Sequence, residues 1–280
     1  MARGRLLVVG TPIGNLEDLT PRAQRALAEA DAIFCEDTRV TGKLAVKLDL
    51  GAPRISCPAP REGSRVAELL SRLGAGETVA LVTDAGMPAL SDPGRQLVAA
   101  AAGAGHQVLV VPGPSAVSAA LALSGLPAAP HTFLGFLPAR SGERRRLLES
   151  LRGRPETLVW FEAPHRFLES LTDAADVLGT RPAVVARELT KLHEETVRGT
   201  LDELSTLFQA RGEPRGEITV VVAGNPSAAA EAADPASVDA AIREALGARA
   251  PKRAAAKEIA ARTGRPANEI YARMLELSRK

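Results

Sequence analysis

Short apolar runs recur along the first half of the chain, and each is followed by a turn rich in glycine, proline or charged residues. Such runs, four or five residues long and rich in β-branched side chains, are typical of buried strands. Between them, apolar residues return at the spacing of amphipathic helices. The predicted strands are residues 5–9, 32–35, 54–57, 78–82 and 108–111. Strand alternating with helix predicts a mostly parallel, doubly wound α/β sheet in residues 1–125.

The second half continues the α/β pattern with fewer apparent helices between its strands. Gly125, Pro127 and Pro130 lie close together and indicate a domain boundary within residues 123–130. A basic helix is predicted at about residues 141–152. The predicted strands are residues 132–137, 157–161, 183–187 and 217–223. Because strand often follows strand, residues 126–226 are predicted to form a second α/β domain with a mixed sheet.

The last part of the chain has a different composition and predicts a helical extension. Residues 226–237 are rich in alanine and indicate a linker. Helical spacing follows in residues 238–246, 253–263 and 266–277, and Gly264 between the last two suggests a helix-turn-helix within residues 238–280. From Ala248 onward there are nine Lys/Arg against three Asp/Glu, whereas the rest of the chain has 26 against 30. A basic extension on a weakly acidic body predicts contact with a polyanion, the alternative being a packing appendage.

Composition limits the class of protein. The chain has 280 residues, of which 45% are apolar and 24% are charged, as in ordinary globular proteins. Aromatic residues make up 3%, too few for platforms that stack many RNA bases. No apolar run is long enough to span a membrane, no signal peptide is evident, and the two cysteines and four histidines have no metal-binding spacing. We therefore expect a cytoplasmic protein with reduced thiols and no metal.

Candidate chemistry lies where the predicted strands end. In an open α/β sheet, ligands bind outside the carboxyl ends of the strands. Asp84 follows the strand at residues 78–82, and Gly86 would let a ligand approach the backbone. The alternative is that the aspartates of this loop cap turns and the next helix. Residues 10–16 do not form a phosphate-binding loop, because Pro12 lacks the N–H group that such a loop needs.

Several motifs lie at or beside the predicted strands: V-G-T-P-I-G-N-L (9–16), E-D-T-R (36–39), T-D-A-G-M-P-A-L-S-D-P-G (83–94), P-G-P-S-A (112–116), F-E-A-P-H-R (161–166), E-L-T-K-L-H-E (188–194) and G-E-I-T-V-V-V-A-G (216–224). Together they resemble one family. It is the bacterial ribosomal RNA small-subunit cytidine 2′-O-methyltransferases, a branch of the tetrapyrrole (corrin/porphyrin) methylases. The resemblance covers residues 5–225 and implies a dimeric, two-domain enzyme that binds S-adenosylmethionine between its domains. It also implies methylation of a ribose 2′-hydroxyl in the decoding region of 16S rRNA.

The resemblance assigns site residues motif by motif. Thr83-Asp84-Ala85 stands where tetrapyrrole-methylating members have Gly-Asp-Pro, which argues against a porphyrin substrate. The cofactor-binding candidates are Pro12, Thr83, Asp84, Ala85, Gly86, Met87, Ser115, Ala116, Phe161, Leu189 and Gly224. Ser115 is also a candidate cap for the helix that follows it. The RNA-binding candidates are Arg39, Arg144, Arg145, Lys252, Arg253, Lys257 and Arg265, although three consecutive arginines (144–146) cannot share one helix face.

Methyl transfer to a ribose hydroxyl requires an aligned nucleophile whose proton is removed or polarised, and requires no metal. The candidates in the second domain are Lys191, Glu162, His165 and Glu194, and the alternative for each is a salt bridge between strand ends. Lys191 would polarise the hydroxyl, and Glu162 or Glu194 would orient it or accept its proton. Two other functions remain open: a tetrapyrrole methylase, which leaves the basic extension without a role, and a non-catalytic RNA-binding protein, which leaves the strand-end motifs without one.

Overall fold

The first half of the chain forms a five-stranded, all-parallel sheet. The computed structural model describes residues 4–225, 235–248, 251–263 and 265–278. The strands are β1 (Arg5–Val9), β2 (Ala32–Cys35), β3 (Arg54–Ser56), β4 (Thr78–Val82) and β5 (Gln107–Val111). Their order across the sheet is β3-β2-β4-β1-β5. The predicted strands are confirmed to within one residue at either end.

Helices cover both faces of this sheet, so the predicted doubly wound arrangement is confirmed. On one face, α1 (Pro21–Ala28) and α2 (Thr38–Lys47) pack on alternate residues of the strands. On the other face, α3 (Glu62–Gly74) and α4 (Arg95–Gly103) bury Leu69, Leu73 and Leu97 against the remaining positions. Thr20 caps α1 through the N–H of Ala23, as the Thr-Pro start predicts.

The connections that follow the two central strands, β1 and β4, run towards opposite edges of the sheet. From β1 the chain crosses over β4 to β2, whereas from β4 it crosses over β1 to β5. The carboxyl ends of β1 and β4 therefore flank a crevice of the kind in which open sheets bind ligands. Thr11 and Gly86 join the two loops there, since their N–H groups exchange hydrogen bonds with each other's carbonyl oxygens at 2.9 and 3.1 Å.

The second half forms a mixed sheet, as predicted. Its elements are β6 (His131–Phe136), α6 (Ser141–Ser150), β7 (Thr157–Glu162), α7 (Pro164–Leu178), β8 (Pro182–Arg187), β9 (Glu195–Thr200), α8 (Leu201–Arg211) and β10 (Ile218–Val222). The order across the sheet is β6-β7-β10-β8-β9, in which β6 and β7 are parallel and the other neighbours are antiparallel. The sequence pattern did not predict the helices α7 and α8 or the strand β9.

One helix of the first half belongs by packing to the second sheet. Helix α5 (Ala116–Ser124) follows β5 and ends at Gly125, whose φ is +74°. Its residues Ala120 and Leu121 are buried with valines of β7, β8 and β10. This helix therefore covers one face of the second sheet, while α6, α7 and α8 cover the other.

The C-terminal part is helical and has a core of its own. Helices α9 (Pro235–Gly247), α10 (Lys252–Thr263) and α11 (Ala267–Leu277) bury Ile242, Ile259 and Met274 among themselves. Residues 235–237, predicted as the end of the linker, belong to α9, whereas residues 226–234 and Gly264 lie outside the described residues. Among the described residues, no helix is long and apolar enough to span a membrane.

Candidate active site

A cleft of about 510 Å³ lies between the two sheets. One wall consists of the loops after β4 and β5, and the other consists of the end of β7 and the start of β10. The chemistry of the cleft is therefore set by residues from both halves of the chain. The cofactor-binding candidates that line it are Asp84, Ala85, Gly86, Met87, Ser115, Ala116 and Phe161.

The loop after β4 is held in an unusual backbone conformation. Gly86 has a φ of +80°, and Ala89 and Ser91 have φ values of +67° and +68°. Left-handed conformations at residues with a Cβ are costly and cluster at ligand-binding sites. Asp84 ties this loop to the loop after β2, since its Oδ1 accepts the N–H of Asp37 at 3.1 Å. The loop is thus tied to the loop after β2 at Asp84 and to the loop after β1 at Gly86.

The cleft is acidic. Glu36, Asp92 and Glu217 line it together with Asp84 and Glu162. Burial, followed by the charge of Glu36, raises the pKa of Asp92 to about 6. Burial also raises the pKa of Asp84. Asp92 is still largely ionised at neutral pH, and a cationic ligand would relieve the repulsion among the carboxylates of the cleft. Sequence reasoning missed Asp92 as a site residue, although it belongs to the strand-end motif at residues 83–94.

Glu162, which lines this cleft, has a buried carboxylate oxygen that its described neighbours leave without a hydrogen bond. Its side chain is 1% exposed, and its Oε1 accepts hydrogen bonds from the Ala163 N–H (2.9 Å) and Arg166 Nη2 (2.7 Å). Its Oε2 is buried without a hydrogen-bond partner among the described residues. Leaving a buried carboxylate oxygen unpaired costs about 1–3 kcal/mol, so this atom is suited to accept a donor from a ligand.

A second cleft, of about 340 Å³, adjoins the first. It runs along α2 and the loop after β1, and it contains the predicted cofactor residues Pro12 and Thr83. The two clefts share a wall made of Ile13, Asp84, Ala85 and Glu217. A group bound in one cleft is therefore separated from a group in the other by only a few side chains.

Lys191 lies in the second cleft and stays protonated. Its Nζ is 2.8 Å from Glu188 Oε1 and 3.2 Å from Glu217 Oε2. Desolvation opposes its charge, but the hydrogen bond from Lys191 to Glu188 and the charge of Glu217 outweigh it and raise the pKa of Lys191. Lys191 can therefore polarise a hydroxyl group but cannot act as a base at neutral pH.

The direction of β10 places Gly224 away from the cleft, contrary to its sequence-based assignment as a cofactor-binding residue. Because β10 is antiparallel to β7, its amino end (Gly216–Thr219) lies at the cleft, and sequence reasoning missed these residues. Gly224, at the other end of β10, packs against Pro155 at the start of β7 instead. Leu189 is 7% exposed and belongs to the core beneath α5. In addition, β10 lies between β7 and β8, so the two strands that precede the catalytic candidates are not neighbours.

Two catalytic candidates lie outside the lining of both clefts. Glu194 is exposed, and its Oε2 accepts the Thr190 N–H at 2.7 Å, so it stabilises the turn that carries Lys191. His165 is exposed on the first turn of α7.

Ser115 does not act as the cap of α5. It precedes this helix, but its side chain makes no capping hydrogen bond, and the residue lines the first cleft instead.

The arginine run at residues 144–146 is partly structural. Arg144 is 1% exposed and binds Asp173 with a contact of 2.7 Å, so it is not available to RNA, contrary to the sequence-based expectation. Arg145 is 42% exposed and also contacts Asp173, at 2.9 Å. A carboxylate on α7 thus holds two of the three arginines of this run. Arg39 is 87% exposed, pairs with Asp37 at 2.6 Å and remains accessible.

The RNA-binding candidates of the C-terminal helices differ in their accessibility. Arg253 and Lys257 are exposed on α10, one turn apart. Lys252 donates a hydrogen bond to Ser278 Oγ at 2.9 Å, and Arg265 pairs with Glu269 at 2.9 Å. Arg253 and Lys257 can therefore bind a phosphate without first breaking an ion pair with any described residue.

Ionisation of Asp92 should cost stability. Because its pKa is raised from 3.8 to about 6, its contribution to stability is greatest below pH 3.8 and is lost as the pH rises through 6. We expect Asp92→Asn to raise the free energy of unfolding by about 1–2 kcal/mol near neutral pH, after allowing for partial exposure, and to leave it unchanged at about pH 3.5. Urea unfolding at both pH values measures this, and a neutral-pH stability equal to or below that of the parent would contradict it.

Comparisons with known proteins agree with this geometry. Residues 5–205 match the family model of the Tetrapyrrole (Corrin/Porphyrin) Methylases. The chain is 47% identical over 221 residues to "Ribosomal RNA small subunit methyltransferase I" of Thermotoga maritima, covering 79% of this chain and 99% of that protein. The protein of that name from Mycobacterium tuberculosis is 45% identical over 284 residues, 100% of this chain and 98% of the relative.

Solved structures show the same fold at low identity. The methyltransferase CobJ superposes with a TM-score of 0.60 at 20% identity, covering 79% of this chain and 94% of CobJ. Diphthine synthase superposes with a TM-score of 0.62 at 16% identity, covering 79% of this chain and 90% of that chain. At these identities the likeness supports the architecture alone.

Proposed function

Because the chain belongs to the tetrapyrrole (corrin/porphyrin) methylases, among the ribosomal RNA small subunit methyltransferases I, we propose that it methylates the 2′-hydroxyl of a cytidine in the decoding region of 16S rRNA with S-adenosylmethionine. The observation that carries the proposal is the acidic cleft at the divergence point of the first sheet, completed by the second sheet. An enzyme with this substrate acts in the cytoplasm, where ribosomal subunits are present.

The first cleft fits the cofactor. S-adenosylmethionine carries a sulfonium and an ammonium group, and five carboxylates line the cleft. Glu162 Oε2 is a buried acceptor without a partner among the described residues, which suits a donor of the ligand. Phe161 and Met87 add apolar surface. When bound, the cofactor supplies a methyl group on a positively charged sulfur. The protein then has to align the hydroxyl and exclude water.

Lys191 and the shared wall provide the remaining chemistry in this proposal. The Lys191 ammonium polarises the ribose hydroxyl and lowers the cost of removing its proton. The proton goes to a carboxylate of the shared wall, Asp84 or Glu217, since both line the two clefts. Glu162 lies in the first cleft only and therefore orients the cofactor. Glu194 and His165 have supporting roles at most, because neither lines a cleft.

Two further elements of the proposal concern assembly. We propose that Arg253 and Lys257 of the C-terminal helices contact RNA phosphates. Deletion of residues 235–280 should therefore reduce the salt dependence of RNA binding.

A homodimer is proposed because Leu109 and Val110 on edge strand β5 are 38% and 58% exposed. Sedimentation velocity measures the dimer in the parent and its loss in Val110→Lys.

The function is tested by methyl transfer from labelled S-adenosylmethionine. Small ribosomal subunits should accept the label on one ribose 2′-oxygen, mapped by resistance of the adjacent phosphodiester to alkali, and uroporphyrinogen should not accept it. Label on a nucleobase, or on uroporphyrinogen alone, would refute the assignment. A tetrapyrrole methylase is disfavoured by the relatives at 45–47% identity, whose names specify ribosomal RNA.

The cofactor site has a direct mutational test. Asp84→Ala should weaken S-adenosylmethionine binding at least tenfold, since a hydrogen bond to a charged group contributes about 1.5–3 kcal/mol. Asp31→Ala is the matched control: Asp31 accepts the Thr78 N–H at the opposite ends of β2 and β4, as Asp84 accepts the Asp37 N–H at their carboxyl ends. Calorimetry showing the same affinity in both variants would place the cofactor elsewhere.

A further inference from the structure

The two adjoining clefts have opposite electrostatic character. Among the described residues, the first is lined by five carboxylates and by no lysine or arginine, whereas the second is lined by three lysines, Lys43, Lys47 and Lys191, together with the two carboxylates of the shared wall. A cation is therefore favoured in the first cleft, and a phosphate is favoured beside the lysines of the second. Since both clefts share the wall at Asp84 and Ala85, a cationic cofactor and an anionic substrate would meet there without occupying the same space.

Two of the three lysines are free to bind a ligand. Lys43 and Lys47 are exposed, lie one turn apart on α2, and form no ion pair with any residue that the structure describes. Lys191, by contrast, is held by Glu188 and Glu217. The body of the protein has more acidic than basic residues. Two lysines that line one cleft without forming an ion pair to a described residue are therefore unusual in it.

The second cleft also has an exposed aliphatic surface. Leu16, on the loop after β1, is 41% exposed, and Val40, on the first turn of α2, is 39% exposed, and both line this cleft. An aliphatic surface beside two cations matches a nucleotide, whose sugar and base pack on apolar groups while its phosphate binds lysine.

We propose that the second cleft binds the RNA strand at the methylated nucleotide, with Lys43 and Lys47 contacting successive phosphates of its backbone. This inference rests on the proposed function and adds the site and direction of substrate entry. The strand lies along α2, and the target ribose reaches the shared wall beside Lys191. The contacts of Lys43 and Lys47 are with phosphates, so they position the strand and carry no sequence information.

The test compares the double variants Lys43→Gln/Lys47→Gln and Lys43→Arg/Lys47→Arg with the parent. Small ribosomal subunits lacking the modification are titrated between about 50 and 200 mM salt. Each lost phosphate contact lowers the slope of log affinity against log salt by about 0.7 for single-stranded RNA. We expect the glutamine variant to bind at least tenfold more weakly with a slope reduced by about 1.4, and the arginine variant to keep the parent's values.

Arg25→Gln is the matched control. Arg25 is exposed in the last turn of α1, on the same face of the sheet but at the opposite end of its strands. The inference is overturned if the glutamine variant keeps the parent's RNA affinity and slope, or if Arg25→Gln changes them equally. Calorimetry with S-adenosylmethionine should give the same affinity in all variants. Failure of the proposed function has a different readout, namely no methyl transfer to small subunits by the parent.

Discussion

We expect Lys191→Met to lower the rate of methyl transfer about 10²–10⁴-fold in single turnovers with saturating small subunits. The physical reason is the position of the ammonium group beside the shared wall, 3.2 Å from Glu217, with a raised pKa that keeps it charged. Methionine has a similar length and no charge, so it removes the electrostatic contribution while filling the space. Affinity for S-adenosylmethionine should stay unchanged, because Lys191 does not line the first cleft.

Arg187→Met distinguishes catalysis from loss of an ion pair. Arg187 lies at the end of β8, has a side chain 22% exposed against 26% for Lys191, and pairs with Glu195 at 3.1 Å. It lines neither cleft. We expect this variant to stay within about threefold of the parent rate, whereas equal losses in both variants would make Lys191 a structural residue. Glu162→Gln, measured alongside, should weaken cofactor binding rather than the single-turnover rate at saturating cofactor.

The second large effect is expected from a single methyl group at Gly14. The loop after β1 passes so close to the loop after β8 that a Cβ at Gly14 would overlap Lys191 Cγ and lie 3.0 Å from the Leu189 carbonyl oxygen. The second loop would have to move, and with it the ammonium group of Lys191. Because a displacement of about 1 Å at a reacting centre can cost about 10²-fold, Gly14→Ala should lower the single-turnover rate by about that factor.

Gly42→Ala is the control for Gly14→Ala. Gly42 lies on α2, and a Cβ there would meet no atom within 4 Å, so the rate should equal that of the parent. Thermal unfolding of both variants separates a displaced loop from a destabilised fold. If Gly14→Ala methylates at the parent rate, the position of Lys191 does not limit the reaction.

The first sheet was predictable because its signals are local. Each strand is a short apolar run that ends at glycine, proline or a charged residue, and Thr20-Pro21 marks the start of α1 within one residue. The same holds for the first wall of the candidate site, since the loops at residues 83–87 and 115–116 follow parallel strands whose carboxyl ends lie at one edge.

The second wall was only partly predictable, because it depends on strand direction. The apolar run of β10 is compatible with either direction, and its antiparallel pairing is decided by contacts with β7 and β8 that lie far away in sequence. This is why Gly224 was assigned to the cleft and Glu217 was not. By contrast, α7 had a visible signal, with Pro164 at its first position and Phe167, Leu171, Ala174 and Leu178 at helical spacing.

Burial of a charged residue is also beyond a local pattern. Arg144 has two arginines beside it and looks like part of a basic surface, but it is 1% exposed because Asp173, on α7, supplies the opposite charge. The pairing partner is 29 positions away in a helix that was not predicted. A buried charge persists only when such a partner is present, and the partner is visible only in the fold.

The placement of α5 decides how the chain can be divided. Cleavage within residues 125–130 would leave α5 on the first fragment, although Ala120 and Leu121 are buried against Val159, Val184 and Val221 of the second. Each fragment would then expose an apolar surface that only the other covers, so a protease-nicked protein should remain a single particle. A fragment meant to contain the first sheet alone has to end soon after β5, and one meant to contain the second sheet has to begin before α5.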